Sequence, residues 1–460
     1  MKLNCVPPPT GNSKFASIFC GLTLKCITWT SKKRRKFAKR YNQYGGQTIS
    51  ADKNIRMTKR LILTSTVFLA LLAVITSCIL VRQKNFRKSL KTSALTSHNF
   101  QESFKFSLTQ WILVKANLNG IQQEQTFILD TGSPCTYSFK TTDESNLQTK
   151  KLLRLGSYKT DYGFSDTQIG NISYKNLQFL AMDFELFKWQ KVSGIIGVNA
   201  MQNSVWEINF RDTIITVSDN LTNFKNITNA YRTKFKPYSE QQTPVVKLTI
   251  NNKDTVTAFI DTGEPGFIKF NSDFNVLSLK EKEPESVKTA YYDIDDNGKK
   301  LKKKSIYERD HIKLNSLKIG DFELDSSIVQ RVSLYKGKNL VGLNFLKNFI
   351  VTIDFKNHDL YLKPLERTHF PKNIVSYGFE CFKRSGFLEV DFIYKGSLAE
   401  KLGIRCGDKI VKVNNQDIID INDNTLKSLN DDSPSDKEIV LVFQNKDTEI
   451  RLKKVPVFNW

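Results

Sequence analysis

Two aspartates, Asp130 and Asp261, each open the same tripeptide, Asp130-Thr131-Gly132 and Asp261-Thr262-Gly263, and each follows an apolar run, Phe127-Ile128-Leu129 or Ala258-Phe259-Ile260. A carboxylate at a strand end, followed by a hydroxyl and then a residue without a side chain, is suited to presentation on a tight turn. Two such groups about 3 Å apart cannot both ionise, so they hold one proton between them and titrate as a unit. One carboxylate then serves as base and the other as acid. The base activates a shared water, the acid hydrogen-bonds a carbonyl oxygen, and a peptide bond is hydrolysed without a covalent intermediate. Gly132 and Gly263 permit the turns, and the hydroxyls of Thr131 and Thr262 can bond the backbone of the opposite loop and fix the spacing. Ser133 follows the first glycine among the supporting residues, whereas Glu264 stands at that place in the second loop.

The elements that must bring the aspartates together show as an internal repeat. Ile112–Pro134 aligns with Pro244–Pro265 with one single-residue gap, the Ile-Gly at Gly170 answers that at Gly320, and Ser193–Val217 answers Lys338–Leu362. Three anchors recur in one order, so the chain holds two copies of one unit. Both copies read as β. Alternating Ile112, Val114 and Ala116, the turn Asn119-Gly120, then Phe127 and Leu129 describe a hairpin leading to Asp130, and Trp206–Phe210 with Ile214–Val217 describe another, echoed by Val351–Phe355 and Leu360–Leu362. Helical periodicity is confined to short stretches near 200–204 and 345–348. Pseudo-twofold packing of the copies would place Asp130 beside Asp261.

At these residues the chain resembles the aspartic proteases of the pepsin and retropepsin kind, over about residues 106–365. The family's two apolar residues followed by Gly match Ile195-Ile196-Gly197 and Leu340-Val341-Gly342. Thr131 and Thr262 match its interlocked threonines, and Asp166-Thr167-Gln168-Ile169-Gly170 looks like the strand after the pepsin flap. The resemblance implies a mainly β, bilobal, pseudo-twofold fold: lobe 1 over 106–219, a linker over 220–243 and lobe 2 over 244–365. It further implies a cleft for an extended peptide, a flap closing over it, and catalysis by Asp130 and Asp261. Two departures stand out. Glu264 is expected either to raise the apparent pKa of the dyad or to point into solvent. The flap region is short, with 40 residues from Asp130 to Gly170 against 59 from Asp261 to Gly320. Tyr158 and Tyr162 are candidates for a flap tyrosine, with plain packing as the alternative, and Cys135 is a candidate for substrate contact.

Beyond Lys363-Pro364 the pattern changes. Ser376-Tyr377-Gly378-Phe379, followed by Gly396–Asn415, resembles a PDZ domain over residues 372–457, with a short helix over 397–402 ending at Gly403 and a strand containing Ile410, Val411 and Val413. The resemblance implies that the backbone N–H groups of Tyr377, Gly378 and Phe379 receive a peptide carboxylate, the peptide adding as a strand beside 379–382. A helix near 424–429 would line that groove. The other reading is a structural cap on the lobes. The whole is similar to bacterial membrane-associated aspartyl proteases, with protein or peptide substrates, peptide C-termini as partners and no cofactor or metal; a catalytically silent peptide-binding scaffold acting through the PDZ groove is the alternative.

Charge and composition bound the rest. The 460 residues are 40% apolar and 25% charged with 12 Pro, which excludes a disordered, collagenous or disulfide-scaffold chain. Net charge is +23, which by itself suggests a nucleic-acid partner. Residues 1–90, however, hold 18 Lys/Arg against one acid, Asp52, leaving a surplus of only +6 on 91–460. Nucleic-acid binding is therefore not expected. The uncharged run Leu61–Val81 is long enough for a membrane-spanning helix, between a basic segment at 1–60 and a linker at 82–105. The heavier basic flank precedes it, so the remainder is expected outside the cytoplasm, periplasmic in a bacterium. Met57 and Cys78 leave two alternatives open: a cleaved signal segment, with residues 1–56 upstream of the native start, or a lipoprotein acylated at Cys78.

Overall fold

The computed structural model describes residues 51–90, 94–121, 123–155, 158–183, 187, 191–238, 241–274, 286–292, 306–332, 337–368, 370, 373–384, 386–421, 423–430, 437–446 and 448–456. The basic run at 32–40 lies outside them. The chain divides into Met1–Leu80 and Val81–Trp460. Helix α1, Ala51–Ser89, takes up the uncharged run. Among the described residues, no helix is long and apolar enough to cross a membrane, so a crossing by 61–81 stays an expectation.

The second part is mainly β. In lobe 1, β1 (Ser107–Leu108) turns into β2 (Ile112–Leu118), and β2 pairs with β3 (Gln125–Asp130), whose last residue is the first aspartate. The alternation seen in the sequence is the burial pattern of β2: Ile112, Val114, Ala116 and Leu118 are buried, Lys115 and Asn117 exposed. A long hairpin follows, β4 (Thr149–Leu155) with β5 (Tyr158–Ile169). Then β6 (Gly194–Gly197) lies parallel to β3, Gly197 opposite Asp130. A strand buried on both faces reads as an unbroken apolar run, as at Phe127-Ile128-Leu129 and Ile195-Ile196. β7 (Val205–Asn209) closes the lobe.

Lobe 2 repeats this order. β8 (Lys236–Tyr238) turns into β9 (Thr243–Ile250), which pairs with β10 (Asp254–Ile260), ending one residue before Asp261. β11 (Ile268–Phe270) follows, then the hairpin of β12 (Ser286–Tyr292) and β13 (Ile306–Leu314), then β14 (Ser327–Val332). β15 (Asn339–Val341) runs parallel to β10, and β16 (Phe349–Asp354) ends the copy. The lobes join through β7 and β16, antiparallel with Ile208 opposite Val351. One apolar core runs through both, including Trp206, Phe127, Phe345 and Phe349.

The segments expected as linkers are not free. Gln101–Lys105 pairs with Ile214–Ser218, and Tyr231–Lys234 pairs with Asp359–Pro364, adding strands at the two ends of the sheet that joins the lobes. Both are too short and too polar to stand out by alternation.

The C-terminal domain has β17 (Phe379–Arg384), β18 (Phe387–Tyr394), β19 (Lys409–Val413), α2 (Asp423–Asn430) and β20 (Ile439–Phe443) around its own core. It is not a bead on a string. β12 of lobe 2 pairs with β18, Ala290 opposite Ile393, so one hydrogen-bonded sheet runs from β10 through β15, β11, β14, β13 and β12 into this domain. At the seam Arg309 lies 4.5 Å over the Phe392 ring and His311 packs 5.3 Å from Tyr394. Burial drives the His311 pKa down to about 3, with the nearby Arg309 charge assisting, so the seam stays uncharged at that ring at physiological pH.

Candidate functional site

Parallel pairing fixes both aspartates. β6 lies beside β3 and β15 beside β10, and the loop after each aspartate is tied just past the neighbouring strand: Val198 N–H donates to Ser133 O at 2.9 Å, Leu343 N–H to Glu264 O at 2.7 Å. The two apolar-apolar-Gly segments are needed for this approach. A Cβ at Gly197 would collide with the backbone of Ser133 and Pro134, and one at Gly342 with that of Glu264 and Gly266.

The threonines lock the loops to each other. Thr131 N–H donates to Thr262 Oγ1 at 3.0 Å and Thr262 N–H to Thr131 Oγ1 at 3.1 Å. The hydroxyls donate in turn to carbonyls at the ends of the opposite strands, Thr131 to Ile260 at 2.7 Å and Thr262 to Leu129 at 2.9 Å. Both side chains are fully buried, so every donor and acceptor in this square is satisfied by the other lobe. The carboxyls meet at this square, each lying against the glycine of the opposite loop. A Cβ at Gly132 would come within 2.5 Å of the Asp261 carboxyl, and one at Gly263 would strike that of Asp130, so both glycines are required by close approach.

The two carboxyls are not equivalent. Asp130 accepts from Gly132 N–H at 2.6 Å and from the Ser133 hydroxyl at 2.6 Å. Asp261 accepts from the N–H groups of Gly263 at 2.9 Å and Glu264 at 3.1 Å, and no hydroxyl occupies the place of Ser133. Burial holds the Asp261 carboxyl well above the usual carboxylate range, and the charges of Asp130 and Glu264 push the same way. Burial and the charge of Asp130 therefore favour the protonated form of the Asp261 carboxyl, while the pair titrates as a unit. Such a pair can take a proton from water at one carboxylate and give one to a carbonyl oxygen at the other.

Glu264 does not point freely into solvent. Its carboxylate meets Lys269 Nζ at 2.6 Å and accepts from Gly266 N–H at 3.3 Å, with both side chains of the ion pair largely buried. Glu264→Ser removes this negative charge, leaves the Lys269 cation, and supplies a hydroxyl where Ser133 serves the first loop. All three changes favour ionised Asp261. The alkaline limb of a pH–rate profile is expected to move to lower pH; an unmoved limb would show that Lys269 already cancels the Glu264 charge.

Cys135 is set beneath the first loop rather than toward a cleft. It is fully buried, its thiol accepts from Gly197 N–H at 3.2 Å, and burial pushes its pKa up to about 12. It is neither a substrate contact nor a nucleophile. Tyr162 packs edge-on to Phe86 of α1 at 5.4 Å. Tyr158 lies opposite Leu155 near the turn of the β4–β5 hairpin, and its side chain is outside the described residues. Asn199, which the sequence reading passed over, is buried; it accepts from Cys135 N–H at 2.7 Å and donates to Gln178 O at 2.8 Å, tying the first loop to the sheet. Its signal in the sequence is the matching Asn344 of the second copy.

In the C-terminal domain, Gly378 has φ of +96° and so turns the chain between Tyr377 and Phe379 in a conformation that favours glycine. Its N–H is already bonded to Ser376 Oγ at 3.1 Å. The expected peptide-pairing strand, β17, has its outer side toward α2, and Asn430 at the end of α2 covers part of it: Cys381 N–H donates to the Asn430 carboxamide oxygen at 2.9 Å, and the Asn430 amide donates to Cys381 O at 2.7 Å. A side-chain amide thus takes both backbone groups that an added strand would use. Among the described residues, no cluster of His, Cys, Asp and Glu could hold a metal ion.

A PDZ domain family model matches residues 389–445, from β18 through β20. A PDZ domain therefore lies in the C-terminal region, although the matched span begins after Tyr377, Gly378 and Phe379. No curated protein matches the chain.

Proposed function

We propose that the chain is an aspartic endopeptidase, tethered to a membrane and acting outside the cytoplasm, with its PDZ domain assisting peptide recognition. One observation carries the peptidase reading: two carboxyls from equivalent turns of a repeat, each lying against the opposite loop's glycine and held by its own glycine N–H over a threonine square shared by the lobes. In the reaction, Asp130 takes a proton from a water between the carboxyls as that water attacks the peptide carbonyl. Asp261 gives its proton to the carbonyl oxygen, forming a tetrahedral diol. Asp130 then passes its proton to the amide nitrogen while Asp261 takes one from a diol hydroxyl, the carbon–nitrogen bond breaks to release a carboxylic acid and an amine, and the dyad again holds a single proton. The membrane reading draws on the Leu61–Val81 run, along which Leu63, Phe68 and Val74 are each more than 60% exposed on α1, an apolar surface that lipid would cover.

The test is cleavage of a peptide library by the full chain across pH 3–8, beside Asp130→Ala and Asp261→Ala, with product termini read by mass spectrometry. Cleavage lost in both variants supports the reading. A folded wild-type chain that cleaves nothing at any pH would leave a silent peptide-binding scaffold.

For the PDZ groove, Asn430 is the gate. Asn430→Ala frees the N–H and C=O of Cys381, and a peptide with a free C-terminus is expected to bind about tenfold more tightly, the return of two competing hydrogen bonds. Fluorescence anisotropy of labelled peptides measures this. Equal affinity in the two proteins would place peptide recognition elsewhere.

A further inference from the structure

Each lobe opens with a tight hairpin, β1–β2 in lobe 1 and β8–β9 in lobe 2. Their turns sit at equivalent places, just ahead of Ile112 in one copy of the repeat and Pro244 in the other. Each turn sends one side-chain N–H to the opposite lobe. Trp111 Nε1 donates to the carbonyl of Gly263 at 3.0 Å, and Gln241 Nε2 donates to the carbonyl of Gly132 at 2.8 Å. Both glycines are thereby held from two sides, the N–H on the glycine's own aspartate and the carbonyl on the other lobe. An indole and a carboxamide, unlike in shape, reach matching atoms across the pseudo-twofold axis. Both donors are fixed in place: the Trp111 ring packs with Ile128, Phe187, Val192 and Ile195 in a cluster apart from the main core, and Gln241 Nε2 also donates to the buried Thr243 hydroxyl at 3.0 Å.

We propose that Trp111 and Gln241 are a pair of positioning residues that set the gap between the two carboxyls by gripping each catalytic glycine from the opposite lobe. The proposal rests on the peptidase reading above. The threonine square holds the inner ends of the loops, and Trp111 and Gln241 hold the outer ends. Without either donor the corresponding loop can draw back, and the carboxyls interact less strongly. The two apparent pKa values of the dyad then approach each other, the lower one rising and the upper one falling. Besides Asp130, Glu264 is the charge that acts on Asp261, and these substitutions leave it paired with Lys269.

The test compares Trp111→Phe, Gln241→Met and the double variant with the wild-type full chain by two measurements. One is kcat/KM against pH on a cleaved peptide; the other is NMR titration of protein carrying 13C-carboxyl aspartate. Each single variant is expected to lose about three- to tenfold in kcat with little change in KM. Its bell-shaped profile narrows from both limbs, and the two dyad transitions move together, most in the double variant. A lower rate with unchanged bell width and unchanged transitions would reduce the pair to ordinary packing and overturn the proposal. Should Trp111→Phe not fold, Gln241→Met, at a partly exposed residue, decides alone. A wild-type chain that cleaves nothing, while its dyad transitions still converge in the variants, would sink the peptidase reading and keep the positioning role. Cleavage with unmoved transitions would do the reverse.

Discussion

Asp261→Asn is expected to abolish peptide cleavage and at the same time to make the folded chain more stable at neutral pH. The first effect follows from losing the acid of the dyad, a loss of roughly 10²–10⁴-fold or more in rate. The second follows from burial: Asp261 is driven well above the usual carboxylate range mainly by desolvation, then by the charge of Asp130. Because its pKa is raised on folding, its contribution to stability is fully present below about pH 4, the ordinary aspartate value, and is lost as pH rises through the higher folded-state value. At pH 7 the wild-type pair is therefore a liability that the neutral amide removes. Thermal melts across pH 3–8 measure this, with Tm of the variant above wild type at pH 7 by on the order of 2–4 °C for each kcal/mol relieved. The gain disappears toward pH 4. A variant that is equally inactive yet no more stable at pH 7 would mean that the carboxyls are not close enough to repel in solution.

The second large effect is expected at the threonine square. Thr262→Val keeps the shape of the side chain but strands two buried groups, the N–H of Thr131 and the carbonyl of Leu129. With each unsatisfied group costing about 1–3 kcal/mol, the loss is about 2–6 kcal/mol. Thr262→Ser restores the hydroxyl and should recover most of it. Urea unfolding of the three proteins gives the comparison, and a valine variant as stable as wild type would show that water replaces the hydroxyl. Thr131→Val should behave alike, since its partners are the mirror set.

Much of this site is readable in the sequence because the repeat writes it twice. A single Asp-Thr-Gly is weak, but the second copy gives the first a partner, and Ile195-Ile196-Gly197 with Leu340-Val341-Gly342 gives both a neighbouring strand. Strands buried on both faces leave unbroken apolar runs, and hairpins with one wet face leave alternation, so β2, β3, β9 and β10 announce themselves. What the sequence hides is chemistry between turns. Trp111 reads as a core aromatic and Gln241 as a polar loop residue; only folding brings each to a carbonyl more than 100 positions away. The Glu264–Lys269 pair links an irregular turn to β11, and a contact from a turn to a strand five positions on has no periodicity to show it. The seam between β12 and β18 joins strands about a hundred residues apart, and long-range register has no local signature. Asn430 escaped notice because an asparagine at a helix end usually does nothing more than finish the helix.

That seam changes what the C-terminal domain is to the rest of the chain. β12 has β13 on one side and β18 on the other, so until residues 392–394 have been synthesised, one side of β12 offers bare N–H and C=O groups along a strand. An open strand of this kind invites pairing with another copy of the chain, the usual first step toward aggregation. Cutting the molecule after lobe 2 would make that interim state permanent, and a shortened chain that precipitates would then report an uncovered sheet rather than a missing ligand-binding function.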